Sequence, residues 1–283
     1  MTILVFGKTG QLARELQALG NVICLARDEA DLSEPESCAE AIRKHSPKGV
    51  INAAAYTAVD RAEDEATVAA RVNGWAPAAM AKACAELDAP FVHISTDYVF
   101  DGSGNEPWKP DQLTNPKNAY GLSKLIGENA VRDAGGRYAI LRTSWVFSSH
   151  GSNFVKSLLK LSKDRDQLKI VADQVGGPTP ASAIAQTCLD LVDQLANDAS
   201  KAGTYHFSGA PDVSWKEFAE TIFAQAGREV TVKGISTSEY PTPATRPLNS
   251  RLDCSSLEQA FGIARPDWRR GLQNVLKDME ITQ

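Results

Sequence analysis

Tyr120 and Lys124 are the two residues of this chain whose types and spacing most directly suggest proton transfer. They are four residues apart, so a helix would carry both side chains on one face. A free tyrosine loses its proton near pH ~10, and a neighbouring ammonium group stabilises the phenolate and lowers that pKa. The spacing alone is more typical of a solvated helix face. The pair therefore indicates proton-transfer catalysis only if other elements of the chain supply partners for it.

The first such element is a glycine-bearing turn near the N-terminus. Residues 2–6 form an apolar run that predicts a buried strand, and residues 12–19 carry apolar side chains at helical spacing. Gly7 allows a tight turn between them, and Gly10 lets a pyrophosphate approach the helix N-terminus, with Ala13 as the small third residue. This context favours dinucleotide binding over a plain strand–turn–helix connection.

The second strand, predicted over residues 21–26, ends beside Arg27. An acidic residue at this point of a dinucleotide fold binds the adenosine ribose, whereas an arginine suits a 2′-phosphate. Arg27 therefore favours NADPH. The neighbouring Asp28 weakens that argument, and an exposed loop arginine without a ligand is the alternative, so NADH stays open.

Three further predicted strands bring polar or small residues to one edge of a sheet. Residues 49–52 lead into the alanine run 53–55, residues 90–95 lead into Thr96, and residues 138–142 form the fifth strand. Strands and helices alternate throughout, which predicts an α/β fold with a doubly wound parallel sheet. Ligands bind at the carboxyl ends of such strands. For the alanine run, close helix packing is an equally good interpretation.

Beyond residue 150 the alternation changes. A Ser-x-x-Glu capping box at Ser214 and Glu217 predicts a helix, and residues 241–251 form a proline-rich loop that carries Arg246 and Arg251. We expect a dinucleotide-binding domain over residues 1–150. Residues 151–283 are expected to form mainly a smaller substrate-binding lobe, interleaved with the edge of the sheet.

Composition excludes several classes of protein. Of 283 residues, 43% are hydrophobic and 23% charged, and the net charge of −5 without a basic run argues against nucleic-acid binding. No apolar run approaches the ~20 residues of a membrane span. The five cysteines are scattered and no secretory segment opens the chain, so we expect a cytoplasmic protein with reduced thiols. The four histidines show no ligand spacing, and no metal site is predicted.

The combined pattern resembles the dTDP-4-dehydrorhamnose reductases, a branch of the extended short-chain dehydrogenase/reductase family with a Rossmann-type sheet. The blocks that carry the resemblance are Phe6-Gly-Lys-Thr-Gly-Gln, Asn52-Ala-Ala-Ala-Tyr-Thr-Ala-Val-Asp, Ser95-Thr-Asp-Tyr-Val-Phe, Arg142-Thr-Ser-Trp-Val and Tyr240-Pro-Thr-Pro-Ala-Thr-Arg-Pro-x-Asn-Ser. They extend over nearly the whole chain. The resemblance implies hydride transfer from NAD(P)H to C4 of a dTDP-linked 4-keto sugar.

The resemblance also implies roles for individual residues. Tyr120, Lys124 and Thr96 would be catalytic, with the tyrosine donating a proton to the developing alkoxide. The implied cofactor-binding residues are Gly7, Gly10, Gln11, Leu12, Arg27, Asp31, Leu32, Ala55, Tyr56, Thr57, Tyr120 and Lys124. The implied substrate-binding residues are Thr96, Asp97, Tyr98, Trp145, Arg246 and Asn249. Without the resemblance, core packing of Trp145 and a loop salt bridge of Arg246 are the alternatives.

Two departures from the family concern metal and assembly. Some members are dimers bridged by magnesium, and Glu15 matches one ligand position. Ser182 and Arg269 stand where acidic residues would be needed, so magnesium is not predicted and a homodimer is left open.

Two other functions compete with simple reduction. One is a non-catalytic regulatory subunit of the methionine adenosyltransferase type, which the presence of all three catalytic residues disfavours. The other is a related sugar-nucleotide epimerase or dehydratase. A dehydratase usually carries a second acid beside the threonine, whereas Asp97 is followed by Tyr98.

Overall fold

The structure of the protein is a computed structural model, which describes residues 2–281. Its elements in the first half are β1 (Ile3–Phe6), α1 (Gln11–Leu19), β2 (Val22–Leu25), α2 (Pro35–His45), β3 (Gly49–Asn52), α3 (Ala66–Ala70), α4 (Ala76–Glu86), β4 (Phe91–Thr96), α5 (Ala119–Ala134) and β5 (Tyr138–Thr143). The second half contains β6 (Val146–Phe147), α6 (Phe154–Leu161), β7 (Gln167–Val171), β8 (Val175–Gly176), β9 (Thr179–Pro180), α7 (Ala181–Asn197), β10 (Gly203–His206), β11 (Val213–Ser214), α8 (Trp215–Gln225), β12 (Thr231–Ile235), β13 (Asn249–Ser250), α9 (Ser255–Phe261) and α10 (Trp268–Asp278).

The main sheet has six strands in the order β10-β5-β4-β3-β1-β2, and every pairing is parallel. The chain first moves from β1 to β2 and then crosses to the other side of β1. The strand order therefore reverses between β1 and β3, and such a reversal opens a ligand-binding crevice at the carboxyl ends of the strands. The predicted α/β, doubly wound fold is confirmed.

Both faces of the sheet are covered by apolar side chains, as expected for parallel strands. Along β1, Leu4 and Phe6 pack on one side with α2, α4 and α5, whereas Ile3 and Val5 pack on the other side with α1, α7 and α9. This alternation follows from the two-residue period of a strand. The helix α7 and the strand β10 come from the second half of the chain, yet both belong to this layered core.

A third core belongs to the smaller lobe. Phe147, Leu158, Phe218, Trp268 and Leu272 form its centre, and the short sheets β11-β8-β13, β12-β7 and β6-β9 lie around it. The lobe is joined to the main sheet through the segments that follow β5.

Residues 61–86 fold into several successive helical parts rather than one continuous helix. A 3-10 turn (Arg61–Glu63), α3, one π-helical turn (Arg71–Trp75) and α4 succeed one another. Pro77 has no N–H group to donate to the carbonyl of Asn73 four residues earlier, which favours a widened turn at this point. The Asn73 carbonyl faces α5, where a side chain at Gly127 would overlap it.

Within residues 2–281, we find no helix that combines the length and the apolar character needed to cross a membrane.

Candidate active site

The turn after β1 is shaped to accept a phosphate group. Gly7 has a φ of +106°, and a Cβ there would lie 3.4 Å from Ala54. Gly10 is the N-cap of α1, where no side chain caps the helix and no acidic residue stands in the first turn. Backbone N–H groups at a helix start bind anions when no side chain occupies them. The residues present therefore fit the pyrophosphate of a dinucleotide.

Gln11 is held in place beside this turn. Its side-chain oxygen accepts hydrogen bonds from Ser148 Oγ at 3.0 Å and Asn153 Nδ2 at 2.8 Å. The phosphate turn is thereby tied to the segment that leads into α6, and Leu12 continues the same wall of the cleft.

The cleft on the β2 side has a volume of about 740 Å³ and contains the residues predicted for the adenosine end. Arg27 is 79% exposed, and its Nε donates to Asp31 Oδ2 at 3.2 Å. The backbone N–H of Ser33 donates to Asp31 Oδ1 at 2.8 Å, and this hydrogen bond is the main reason why the pKa of Asp31 is lowered. Leu32 and Tyr56 complete the walls.

Asn73 was not predicted as a site residue, yet it fixes the backbone of the cofactor groove. Its Oδ1 accepts from the Tyr56 N–H at 2.8 Å, and its Nδ2 donates to the Tyr56 carbonyl at 2.9 Å and to Ser123 Oγ at 2.9 Å. A buried side chain thus connects the π-helical turn, the Ala55–Thr57 segment and α5. An asparagine in an alanine-rich helical stretch was the available signal in the sequence.

Helix α5 begins so that it carries Tyr120 directly against the end of β4. Asn118 caps it, with Oδ1 accepting from the Gly121 N–H at 2.7 Å. A Cβ at Gly121 would overlap the Tyr98 carbonyl oxygen, so only glycine lets the helix come this close. The Tyr120 and Tyr98 rings meet edge to face, with centroids 5.5 Å apart.

The structure brings Tyr120 and Thr96 together as predicted. The pKa of Tyr120, however, shifts in the direction opposite to the one expected from the sequence. Burial raises the pKa of Tyr120 well above its usual value, and the hydrogen bond with Thr96 only partly opposes this. The sequence-based expectation was a pKa lowered by Lys124. Tyr120 is only partly exposed in the folded chain, so its phenolate loses solvation, and this effect dominates here. At neutral pH Tyr120 is therefore a protonated acid.

Lys124 lies on the same face of α5 and is buried. Its Nζ donates to the Ile94 carbonyl at 2.7 Å and lies 3.5 Å from His93 Nε2. Burial lowers the pKa of Lys124 to about 8, and the Glu128 carboxylate one turn later opposes that shift. The lysine thus lies in the same cleft as Tyr120, with its ammonium held at the floor of the cleft by β4.

A buried ion pair supports this helix from behind, and sequence reasoning missed it. Glu128 is fully buried and accepts hydrogen bonds from Arg142 Nε at 2.8 Å, Arg142 NH2 at 2.7 Å and Ser95 Oγ at 2.6 Å. Arg142 also stands over the Phe100 ring, 4.9 Å from its centroid. A paired guanidinium in this position fixes α5 against β4 and β5.

Trp145 follows β5 and has a left-handed backbone conformation, with φ at +50°. Its ring stacks on Trp215, the first residue of α8, with centroids 3.6 Å apart and planes 12° apart. Trp145 therefore contributes both to the packing of the smaller lobe and to the wall of the catalytic cleft. Trp215 was not predicted as a site residue.

A second cleft of about 710 Å³ adjoins the first at Tyr98, between the main sheet and the smaller lobe. Arg246 reaches it, with NH2 paired to Asp60 Oδ2 at 2.7 Å and NH1 donating to the Tyr98 hydroxyl at 3.4 Å. Gln174 and Trp215 line the same cleft and are hydrogen-bonded to each other at 3.2 Å. Arg246 is thus a salt-bridged loop residue that also faces a cavity.

Asn249 lies away from both clefts. It is 2% exposed, and its Nδ2 donates to the carbonyls of Ser103 and Glu106 at 3.2 and 2.9 Å. Its Oδ1 accepts from the Arg251 side chain at 3.0 Å. All its polar atoms serve the local loop, so its placement does not support the predicted contact with substrate.

Asp97 is buried beside Thr96, and one of its oxygens has no hydrogen-bond partner within the described residues. Burial raises its pKa to about 6, against hydrogen bonds from Ser250 and Thr96. A group with a raised acid pKa binds its proton more readily in the folded chain. Between pH 3.8 and about 6, ionisation therefore costs folding stability, and the cost is complete above that range.

We expect Asp97→Asn to raise the unfolding free energy by roughly 1–3 kcal/mol at pH 8, because it removes this buried charge. The gain should be smaller at pH 4.5, where the folded wild type is largely protonated. Urea unfolding at both pH values measures it, with exposed Asp64→Asn as the control. A gain that does not change with pH would contradict the buried-carboxylate argument.

No group of three or more histidine, cysteine, aspartate or glutamate side chains with metal-binding geometry occurs among residues 2–281. Glu15, the residue that matches a metal ligand of the family, lies 3.9 Å from His150 Nε2. Burial is the main reason why the pKa of Glu15 is raised.

Comparisons with known proteins agree with this geometry. The family model described as the RmlD substrate binding domain matches residues 1–281. The dTDP-4-dehydrorhamnose reductase of Burkholderia thailandensis is 44% identical over 295 residues, covering 99% of each chain. A solved dTDP-4-dehydrorhamnose reductase from Clostridium acetobutylicum is 37% identical, with a TM-score of 0.93 over 99% of this chain and 100% of that one.

A second solved structure, the dTDP-4-dehydrorhamnose reductase of Bacillus anthracis in complex with NADP, is 32% identical. Its TM-score is 0.90 over 98% of this chain and 100% of that one. Agreement in sequence and fold extends over the whole length. The chain therefore belongs to the RmlD substrate binding domain family, the family of the dTDP-4-dehydrorhamnose reductases.

Proposed function

We propose that this protein is a dTDP-4-dehydrorhamnose reductase, which converts the C4 ketone of dTDP-4-dehydro-L-rhamnose to the alcohol of dTDP-L-rhamnose with NADPH. The observation that carries the proposal is that Tyr120, Thr96 and Lys124 line one cleft together with the phosphate turn. Full-length relatives carry the same enzyme name. Reduced nicotinamide, when bound, supplies the hydride.

The chain's own residues supply the proton and the charge stabilisation. Tyr120 is protonated at neutral pH and donates its proton to the oxygen at C4 as negative charge develops there. The Thr96 hydroxyl hydrogen-bonds the same C4 oxygen in this proposal. A buried hydroxyl stabilises a developing alkoxide more strongly than water does. Lys124 adds a cation to the lining of the same cleft, where a low dielectric constant strengthens its effect on a developing negative charge.

Cofactor binding is assigned to two connected clefts, the one beside β2 and the one that contains Tyr120. Gly7, Gly10, Gln11 and Leu12 hold the pyrophosphate in this proposal, and Asp31 and Leu32 hold the adenosine end. Ala55, Tyr56 and Thr57 line the groove between them. Arg27 pairs with the 2′-phosphate, which requires it to exchange its exposed contact with Asp31 for the ligand.

The sugar nucleotide is assigned to the second cleft. The sugar itself is assigned to the adjoining cleft that contains Tyr120, where Trp145 offers a flat apolar wall and Asp97 and Tyr98 face the sugar in this proposal. Arg246 has donors in a planar fork that matches diphosphate oxygens. Trp215 and Gln174 lie further along the cleft. We assign residues 1–150 mainly to the cofactor and residues 151–283 mainly to the substrate. A cytoplasmic location is part of the proposal and suits the five unpaired cysteines.

A spectrophotometric assay tests the function. Purified protein should oxidise NADPH when dTDP-4-dehydro-L-rhamnose is added, and Arg27→Ala should raise the KM for NADPH roughly tenfold. The KM for NADH should be unchanged in that variant, which serves as the internal control. Folded protein that binds NADPH and oxidises neither cofactor with this sugar would contradict the proposed function.

A further inference from the structure

Thr143, the last residue of β5, has a buried hydroxyl that no contact within the described chain explains. The residue is 5% exposed, and its Oγ1 has no hydrogen-bond partner among residues 2–281. Nearby hydroxyls are satisfied. Ser144 Oγ donates to the Gly177 carbonyl at 3.2 Å, and Thr179 Oγ1 donates to the same carbonyl at 2.9 Å. Buried polar atoms nearly always have partners, so the exception at Thr143 points to a ligand.

The position of Thr143 in the sheet indicates which ligand. Thr143 is paired in register with Thr96, and both line the cleft that contains Gly10, Tyr120 and Lys124. The strand ends follow one another in the order β1, β3, β4 and β5. A dinucleotide whose pyrophosphate lies at the end of β1 and whose reactive ring lies near Tyr120 therefore has its outermost group near the end of β5.

The surroundings of Thr143 fit one end of a flat heterocycle. Ile94, Val146 and Ile184 line the same cleft and offer an apolar surface to a ring. The carboxamide of nicotinamide has an acceptor oxygen and a donor nitrogen. A threonine hydroxyl can both donate and accept, which an ionised carboxylate such as Asp97 cannot.

We propose that the Thr143 hydroxyl hydrogen-bonds the carboxamide of the bound nicotinamide and so fixes the rotation of that ring against the substrate. This inference rests on the proposed function for the identity of the cofactor. Thr143 is a cofactor-binding residue, additional to those that the sequence indicated, and it acts at the end of the cleft opposite Arg27.

Replacement of Thr143 by valine, which has the same shape, separates this role from a structural one. Removal of an unsatisfied buried hydroxyl should leave the Tm of the free protein unchanged or raise it by roughly 2–4 °C. The Kd for NADPH, measured by fluorescence titration, should rise roughly three- to tenfold, and Thr143→Ser should restore it. The matched control is Thr179→Val, whose hydroxyl also accepts from the Gly209 N–H at 3.2 Å. It should lower the Tm and leave the Kd for NADPH unchanged.

A cofactor analogue tests the contacting group itself. In the 3-acetylpyridine analogue of NADP⁺, a methyl group replaces the amide nitrogen of the carboxamide. Wild type should bind it more weakly than NADP⁺, and this difference should shrink in Thr143→Val. If Thr143→Val lowered the Tm, as is expected for Thr179→Val, and left the Kd for NADPH unchanged, the proposal would be overturned and Thr143 would have only a packing role. An unchanged Kd with a raised KM for the sugar would overturn it in favour of a sugar hydroxyl. The Tm and the Kd for NADPH are measured without turnover. A failure of the proposed reductase reaction is therefore distinguishable from a failure of the proposal for Thr143.

Discussion

Tyr120→Phe should lower kcat by roughly 10²–10⁴-fold, the usual range for loss of a general acid. The variant keeps the ring, which packs edge to face on Tyr98, and removes only the hydroxyl that hydrogen-bonds Thr96. The folded site should therefore persist. The Kd for NADPH should change little, because the loss concerns the proton delivered to the substrate oxygen. Steady-state NADPH oxidation and fluorescence titration measure the two quantities.

The matched control for this experiment is Tyr205→Phe. Tyr205 lies on β10 and its hydroxyl donates to the Lys201 carbonyl at 2.8 Å, away from both clefts. Its variant should keep wild-type kcat. Turnover by Tyr120→Phe at the wild-type rate would refute the assignment of the proton donor, whereas loss of NADPH binding would show that the hydroxyl has a cofactor role instead.

The second large effect concerns folding. Arg142→Met should reduce the unfolding free energy by roughly 3–5 kcal/mol, because it leaves the Glu128 carboxylate buried without its main counter-charge. Arg142 donates two of the hydrogen bonds that keep Glu128 ionised. Burial acts to raise the pKa of Glu128, yet the contacts with Arg142, Ser95 and Arg132 together offset this and lower it. Urea unfolding followed by circular dichroism measures the loss.

The double variant Glu128→Met, Arg142→Met distinguishes a lost charge partner from lost packing. Removal of both charges should cost less than removal of the arginine alone, since no buried charge then remains unpaired. Arg43→Met is the exposed control, because Arg43 also bonds two acids, Glu36 and Glu86, at the surface. Its effect should lie near experimental error. A double variant less stable than the single one would contradict the electrostatic explanation.

The features that the sequence predicted well are local in the chain. The phosphate turn at Gly7 and Gly10 lies between a strand and a helix that are both readable from periodicity. Tyr120 and Lys124 share a helix face for geometric reasons alone. The position of Thr96 at a strand end, together with the parallel sheet, was enough to place it near that helix.

The features that the sequence did not reveal depend on contacts between distant segments. Trp215 meets Trp145 only because α8 of the smaller lobe packs against the segment after β5. The buried pairing of Glu128 with Arg142 joins a helix to a neighbouring strand. Arg142 opens one of the family blocks, but nothing in the sequence indicated Glu128 as its partner. The direction in which the pKa of Tyr120 shifts depends on burial, and burial cannot be predicted from a spacing of four residues. Asn249 matched a family block, yet its amide serves a loop.

The sixth strand of the main sheet has a consequence for synthesis on the ribosome. β10 is supplied by residues 203–206, and α7, which covers one face of the sheet, by residues 181–197. Until these segments have emerged, β5 has an unpaired edge and the apolar side chains beneath α7 are open to water. Unpaired edges of this kind invite aggregation. The nascent chain therefore cannot complete its six-stranded main sheet early, and its most vulnerable period lasts until more than two thirds of the protein has been made.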